Sequence, residues 1–226
     1  MTASRTENLH LEAARAEVYR FFAALFLNQP THGLLGGLLT EQGASALDAL
    51  FPGHPVAARF KELVEHYGRG TWRDEDFLLD YESLFRVPGA AYIHPFESVY
   101  RDQNFAMGQP NRSMILGPNA REVARMYQAE GLGPREDFDE LPDHLGVELE
   151  FMAFLCGQTA AAIEAEDGET TTALRTKQHV FLTEHLLTWS PDCLGKIEEG
   201  ASTPLYRYLA SLLKSFLEEE SCSLKN

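Results

Sequence analysis

The chain has 226 residues, of which 44% are hydrophobic and 23% charged, and its formal net charge is -15. That is enough material for one large domain or two small ones with a genuine core, and too apolar for wholesale disorder. So acidic a chain repels phosphate backbones and anionic lipid; this argues against nucleic-acid or membrane-surface binding and favours a basic partner, unless the charge serves solubility alone.

The opening Met1-Thr2-Ala3-Ser4-Arg5-Thr6-Glu7 has no basic stretch followed by an apolar run, so no secretory signal is expected. No stretch stays apolar for the roughly 20 residues that a bilayer demands, so no stable membrane insertion is expected. Cys156, Cys193 and Cys222 are odd in number and lack metal-type spacing. A reduced, cytoplasmic setting fits these features.

Helical periodicity then dominates. Leu11, Ala14, Val18, Phe21, Phe22, Leu25 and Phe26 recur at three- and four-residue steps and predict a first helix ended by Asn28-Gln29-Pro30. Leu34, Leu35, Leu38 and Leu39 mark a second; Ala46, Leu47, Leu50 and Phe51 a third. Val56, Phe60, Leu63, Val64 and Tyr67 form a fourth, stopped by Gly68 and Gly70, and Phe77, Tyr81, Leu84 and Phe85 a fifth. Residues 87–118 carry Pro88, Gly89, Pro95, Gly108, Pro110, Gly117 and Pro118, which predict a long ordered loop. Its aromatics Tyr92, Phe96, Tyr100 and Phe105 need somewhere to pack or something to bind. Helical pattern returns over 120–131, 142–165, 171–189 and 204–219. Phe151-Met152-Ala153-Phe154-Leu155-Cys156 is apolar on every face, as in a buried central helix. No period-2 pattern competes. The expected fold is all-α: a single helical domain of roughly nine to ten helices, in two halves at about 1–86 and 119–226 joined by the loop at 87–118.

Three constellations carry chemistry-bearing side chains. In Glu140-Leu141-Pro142-Asp143-His144-Leu145-Gly146-Val147-Glu148 the proline suits a first helical turn, where its missing N–H goes unmissed. Asp143 then sits near the positive end of the helix dipole, and His144 and Glu148 share a face. An exposed Asp-His pair there would hold a basic or polar peptide group; alternatively, Asp143 caps the helix while His144 pairs with Glu148. The second constellation runs from Tyr81-Glu82-Ser83-Leu84-Phe85 through Pro95-Phe96-Glu97-Ser98-Val99-Tyr100-Arg101-Asp102. Aromatic groups bracketed by prolines suit an extended peptide's apolar side chains, with Glu97 and Asp102 supplying anionic contacts, or else they fill the gap between the halves. The third, His185 and Trp189 one turn apart, reads as satisfied core.

Catalytic sets are not assembled in the sequence. A di-iron bundle needs two Glu-x-x-His pairs, and only Glu7-Asn8-Leu9-His10 has that spacing. There is no His-Glu-x-x-His, phosphate loop, dinucleotide loop, Gly-x-Ser-x-Gly or reactive-cysteine signature. No catalytic residue, metal ligand or cofactor is therefore expected. The competing enzymatic reading is a metal- or nucleotide-dependent helical protein using His144, Glu148 and His185; a subunit stable only within a larger complex is a third.

Tyr81-x-x-Leu84-Phe85, Pro95-Phe96-Glu97-Ser98-Val99-Tyr100-x-Asp102 and Glu140-x-Pro142-Asp143-His144-x-x-x-Glu148-Leu149-x-Phe151-Met152 together resemble the TorD/DmsD family of redox-enzyme maturation chaperones, related to the NarJ group. The resemblance spans nearly the whole chain, including the opening Tyr19…Phe26 and the closing Phe181…His185…Trp189…Pro191. It implies an all-helical chaperone without enzymatic activity. Its partners would be the twin-arginine signal peptide and apo catalytic subunit of a molybdenum-cofactor oxidoreductase, held back from export until cofactor is inserted. The peptide-binding positions would fall on Tyr81, Leu84, Pro95, Phe96, Asp143 and His144. Several relatives carry tryptophan where this chain has Tyr81 and Phe96. Paired guanidiniums ask for carboxylates, for which Glu97, Asp102, Asp143 and Glu148 are the candidates, and the apolar stretch asks for greasy cover.

Overall fold

The computed structural model describes residues 2–101, 117–133 and 140–223, and every regular element among them is helical. In chain order these are α1 (Thr2–Leu27), α2 (His32–Leu38), α3 (Glu41–Leu50), α4 (Pro55–Gly68), α5 (Asp74–Tyr81), α6 (Glu97–Arg101), α7 (Pro118–Ala129), α8 (Leu145–Glu164), α9 (Gly168–Phe181), α10 (Leu187–Gly200) and α11 (Pro204–Ser223). Side-chain acceptors start several of them: Thr31 Oγ1 takes the Leu34 N–H, Thr40 Oγ1 that of Gly43, and Asp167 Oδ1 that of Thr170. Gly70 closes α4 with a φ of 73°, a value that costs glycine nothing. Two wide turns with i→i+5 bonding, Glu82–Arg86 and Leu182–Leu186, follow α5 and α9. The all-helical expectation holds.

The helices sort into two compact units that interleave along the chain. One comprises Met1–Leu27, Pro95–Ser190 and Glu219–Asn226; the other comprises Asn28–His94 and Pro191–Glu218. This grouping differs from the sequential halves expected at 1–86 and 119–226, because helix periodicity reports faces and says nothing about which distant helix covers them. Residues 87–96 are irregular, as expected, but 97–101 turn into α6; residues 102–116, with Asp102 and Phe105, lie outside the described residues.

In the first unit α1 packs on α8 and α8 on α9. Leu145, Leu149, Met152, Leu155 and Cys156 of α8 are wholly buried, confirming the central helix expected from its all-round apolar pattern. Burying each leucine contributes roughly 1.5–3 kcal/mol. Gly146 lets α1 come close: a methyl group there would collide with the Leu27 side chain and lie 3.2 Å from the Ala23 carbonyl oxygen. The α1 stripe is corrected at its start. Leu11 is exposed, whereas Glu12 and Arg15 are buried. Arg15 explains this by donating to both oxygens of Glu220 at 2.8 Å, to Glu12 Oε2 at 2.6 Å and to Gln178 Oε1 at 2.7 Å. A distant carboxylate thus makes burial of an arginine favourable where periodicity alone had favoured leucine.

In the second unit Asp80 is buried and accepts four bonds from the residues leading into α11: Ser202 N and Oγ at 2.8 Å each, Thr203 N at 2.9 Å and Thr203 Oγ1 at 2.6 Å. Tyr81 and Phe85 pack edge-on to each other, and both meet the Tyr206 ring, at 5.8 and 5.5 Å. Leu84 lies beside Gly200, and its carbonyl oxygen accepts the Ile93 N–H.

Candidate functional site

The Pro142-Asp143-His144 turn opens α8, and the chain before α6 is stitched to it. The Leu145 N–H donates to the Pro95 carbonyl oxygen at 2.8 Å and the Glu97 N–H to that of Asp143 at 2.9 Å, which makes Phe96 and His144 an antiparallel bridge pair. The 142–144 turn supplies a side-chain cap to both helices. The Asp143 carboxylate takes the Ser98 N–H at 2.9 Å in the first turn of α6, while the cap of α8 itself is His144, whose Nδ1 accepts the Gly146 N–H at 3.0 Å. Neither simple alternative from the sequence is what forms: Asp143 caps α6 and not its own helix, and His144 serves as a backbone cap.

Beneath this stitch lies a buried acidic cluster. Glu97 is fully buried, meets His185 Nδ1 with both oxygens at 3.1 and 3.0 Å, and pairs with Arg101, which also donates to the Glu184 carbonyl oxygen. Glu148 Oε2 accepts the Trp189 indole N–H at 3.1 Å. Among the described residues Glu148 Oε1 and Asp143 Oδ1 have no hydrogen-bond donor. Burial pushes the Glu148 carboxyl well above its usual range; the Glu97 charge and a carboxyl–carboxylate hydrogen bond to it add to the rise, against the Trp189 N–H. Burial likewise raises Asp143, opposed by the bonds from Ser98. With burial as the chief cause, the folded chain keeps the Glu148 proton to higher pH than an exposed glutamate would.

These placements overturn the expectation of an exposed binding set. Tyr81 and Leu84 are core residues of the second unit. Pro95, Phe96, Glu97, Asp143, His144 and Glu148 come together in the first unit, but only Phe96 keeps partial exposure, its ring edge-on to His144 at 5.3 Å. The polar members are buried because each found a protein donor: Ser98 N–H for Asp143, Trp189 for Glu148, His185 and Arg101 for Glu97. His185 is the satisfied core histidine expected of it. Among the described residues no three His, Cys, Asp or Glu side chains converge as metal ligands.

The opposite side of the same turn is open. An open pocket of about 660 Å³ is lined by Arg20 of α1, by Ala124, Tyr127 and Gln128 of α7, by Leu132, Gly133, Glu140 and Pro142, and by Val147, Glu150, Phe151, Ala153 and Phe154 of α8. Glu148 and Glu150, two residues apart, thus serve opposite sides of one helix. Sequence reasoning saw the apolar face of α7 and the greasy centre of α8, but not that they enclose a space. No helix among the described residues is long and apolar enough to cross a membrane.

Comparison with known proteins adds relatives. The family described as nitrate reductase delta subunit matches residues 53–195. Chaperone protein TorD of Vibrio cholerae serotype O1 is 24% identical over 93% of this chain and 91% of its own. The perchlorate reductase assembly chaperone protein of Dechloromonas aromatica is 30% identical over 94% and 90%, and the chlorate reductase assembly chaperone protein of Ideonella dechloratans 31% identical over 66% and 72%. A crystal structure described as a redox enzyme maturation protein from Archaeoglobus fulgidus superposes with a TM-score of 0.50 at 20% identity, covering 90% of this chain and 93% of that one, a likeness of fold.

Proposed function

The chain belongs to the nitrate reductase delta subunit family, and from that premise we propose that it is a cytoplasmic maturation chaperone for the catalytic subunit of a molybdenum-cofactor oxidoreductase. It binds the twin-arginine signal peptide of the apo subunit and holds that subunit back from export until the cofactor is inserted and the protein folded. The observation that carries this reading is the likeness, over nine-tenths of the chain, to proteins named as chaperones of reductase assembly.

The charge of the chain supports it. A twin-arginine signal presents two guanidiniums and an apolar stretch, and a chain of charge -15 draws such a cation in by long-range attraction. Within this reading Phe96 is the member of the expected set at the surface. Pro95, Glu97, Asp143, His144 and Glu148 act from the interior by fixing the backbone that carries it, and Tyr81 and Leu84 by supporting the second unit.

Two measurements test the function. Purification from native cytosol is expected to bring down the apo catalytic subunit of such an oxidoreductase. Calorimetry with a synthetic twin-arginine signal peptide is expected to show saturable binding that weakens with salt, since exposed ion pairs are screened over about 10 Å at 0.1 M, and to show little binding when both arginines are glutamine. A chaperone that retains no reductase subunit and ignores the peptide would have another role.

A further inference from the structure

The Pro142-Asp143-His144 turn has an inner and an outer side, and the outer one is built to receive something. Its pocket is walled by the rings of Tyr127, Phe151 and Phe154 with Val147 and Pro142. The rings are pre-set. The Tyr127 hydroxyl donates to the Pro142 carbonyl oxygen at 2.9 Å, the Tyr127 and Phe151 rings lie 4.6 Å apart, and Phe151 and Phe154 stack at 6.3 Å with 11° between planes. An apolar cavity whose walls are already ordered spares a ligand part of the ordering cost of binding.

Charge decides the occupant. Glu140 and Glu150 line the pocket, and among its described lining Arg20 is the one basic residue, already paired with Glu17. A phosphate-bearing ligand would meet two carboxylates and a single guanidinium. An apolar segment flanked by arginines would meet greasy walls and complementary charge. We propose that this pocket seats the apolar stretch of the client's signal peptide, with Glu140 and Glu150 holding its guanidiniums. The inference rests on the signal-peptide reading above and moves the direct contacts from the buried Asp143 and Glu148 to the outer side of the same turn.

The test uses the full chain, folded by thermal melting, and a synthetic peptide of two arginines followed by a leucine-rich stretch. Phe154→Ala removes one wall, Ala124→Trp fills the pocket, and the double variant Glu140→Gln with Glu150→Gln removes the acid. Leu79→Ser, on the exposed surface of α5, is the control. The first two are expected to weaken binding about tenfold or more, as truncation of a buried anchor does. The double variant should lose most of the salt dependence, and the control should match wild type. Should either wall variant fail to fold, Phe154→Leu keeps the helix and most of the volume and is expected to bind severalfold more weakly than wild type. If wild type binds and all pocket variants bind within about twofold of it, the peptide seats elsewhere: this inference falls and the proposed function stands. If wild type does not bind, both fall.

Discussion

Two buried ionic networks lie within the same unit, and they are built on opposite plans. Around Arg15, the carboxylates of Glu12 and Glu220 are matched by the guanidiniums of Arg15 and Arg175, with Tyr19 and Gln178 closing the remaining contacts. Around the start of α8, three carboxyls (Glu97, Asp143 and Glu148) meet Arg101 and His185, both of which reach only Glu97. The first network balances charge with charge; among the described residues the second has more carboxyls than basic partners, and burial there raises the Glu148 carboxyl. Both networks tie helices together, the second by stitching the first turn of α6 to the turn that opens α8. That turn is the one whose outer side lines the pocket.

Breaking the balanced network should be the more damaging change. Arg15→Ala strands Glu220 in the interior without a guanidinium and leaves Glu12 to Arg175 alone, and removal of one partner of a buried pair costs about 3–5 kcal/mol. The expected result is a large drop in the denaturant midpoint with the slope unchanged. A loss below about 1 kcal/mol, the range of exposed pairs, would mean that water reaches the two carboxylates.

The stitch between α6 and α8 should be next in size. Asp143→Ala leaves the buried Ser98 N–H without an acceptor, at a cost of about 1–3 kcal/mol, whereas Asp143→Asn can still accept that bond and should recover most of it. Urea unfolding of the two variants side by side checks this ordering. Equal losses from Ala and Asn would show that the charge, and not the hydrogen bond, is what the site uses.

The contrast also marks where sequence reasoning reaches. The helices were legible because their apolar faces and their punctuation are local: α4 stops at its glycines, and α8 is greasy all round and buried. The start of α8 was read three residues early: Pro142 and Asp143, which suit a first turn, precede the helix, and His144 caps it. Burial of those side chains was not legible, because it depends on partners far along the chain. Ser98 lies 45 positions from Asp143, Trp189 lies 41 from Glu148, and Glu220 lies 205 from Arg15. An acidic residue at a helix start reads as an exposed hook until its donor is known. The same gap hid the continuation of α10 through Pro191, which falls one turn in, where the lost N–H forgoes a single bond.

The subtlest expected effect concerns the proton itself. Glu148 sits above the ordinary glutamate value of 4.5, chiefly through burial and then through Glu97. As pH rises past that ordinary value, the unfolded chain releases the proton while the folded chain keeps it, so the native state binds more protons. Stability therefore falls with rising pH until the folded carboxyl also ionises, by at most about 1.4 kcal/mol per pH unit for one proton. Asp143, raised for the same first reason, adds a contribution of the same sign. Glu148→Gln keeps an acceptor for the Trp189 N–H and places an N–H donor toward Glu97, without a titrating proton. The variant should be close to wild type in mild acid and should gain on it progressively as the medium becomes alkaline. Unfolding midpoints between about pH 5 and pH 9 read that difference in slope. Parallel curves would place the retained proton elsewhere in the cluster; a variant that loses stability equally at every pH would mean that glutamine does not fit the Glu148 site, so that a carboxylic acid is required there by shape as well as by charge.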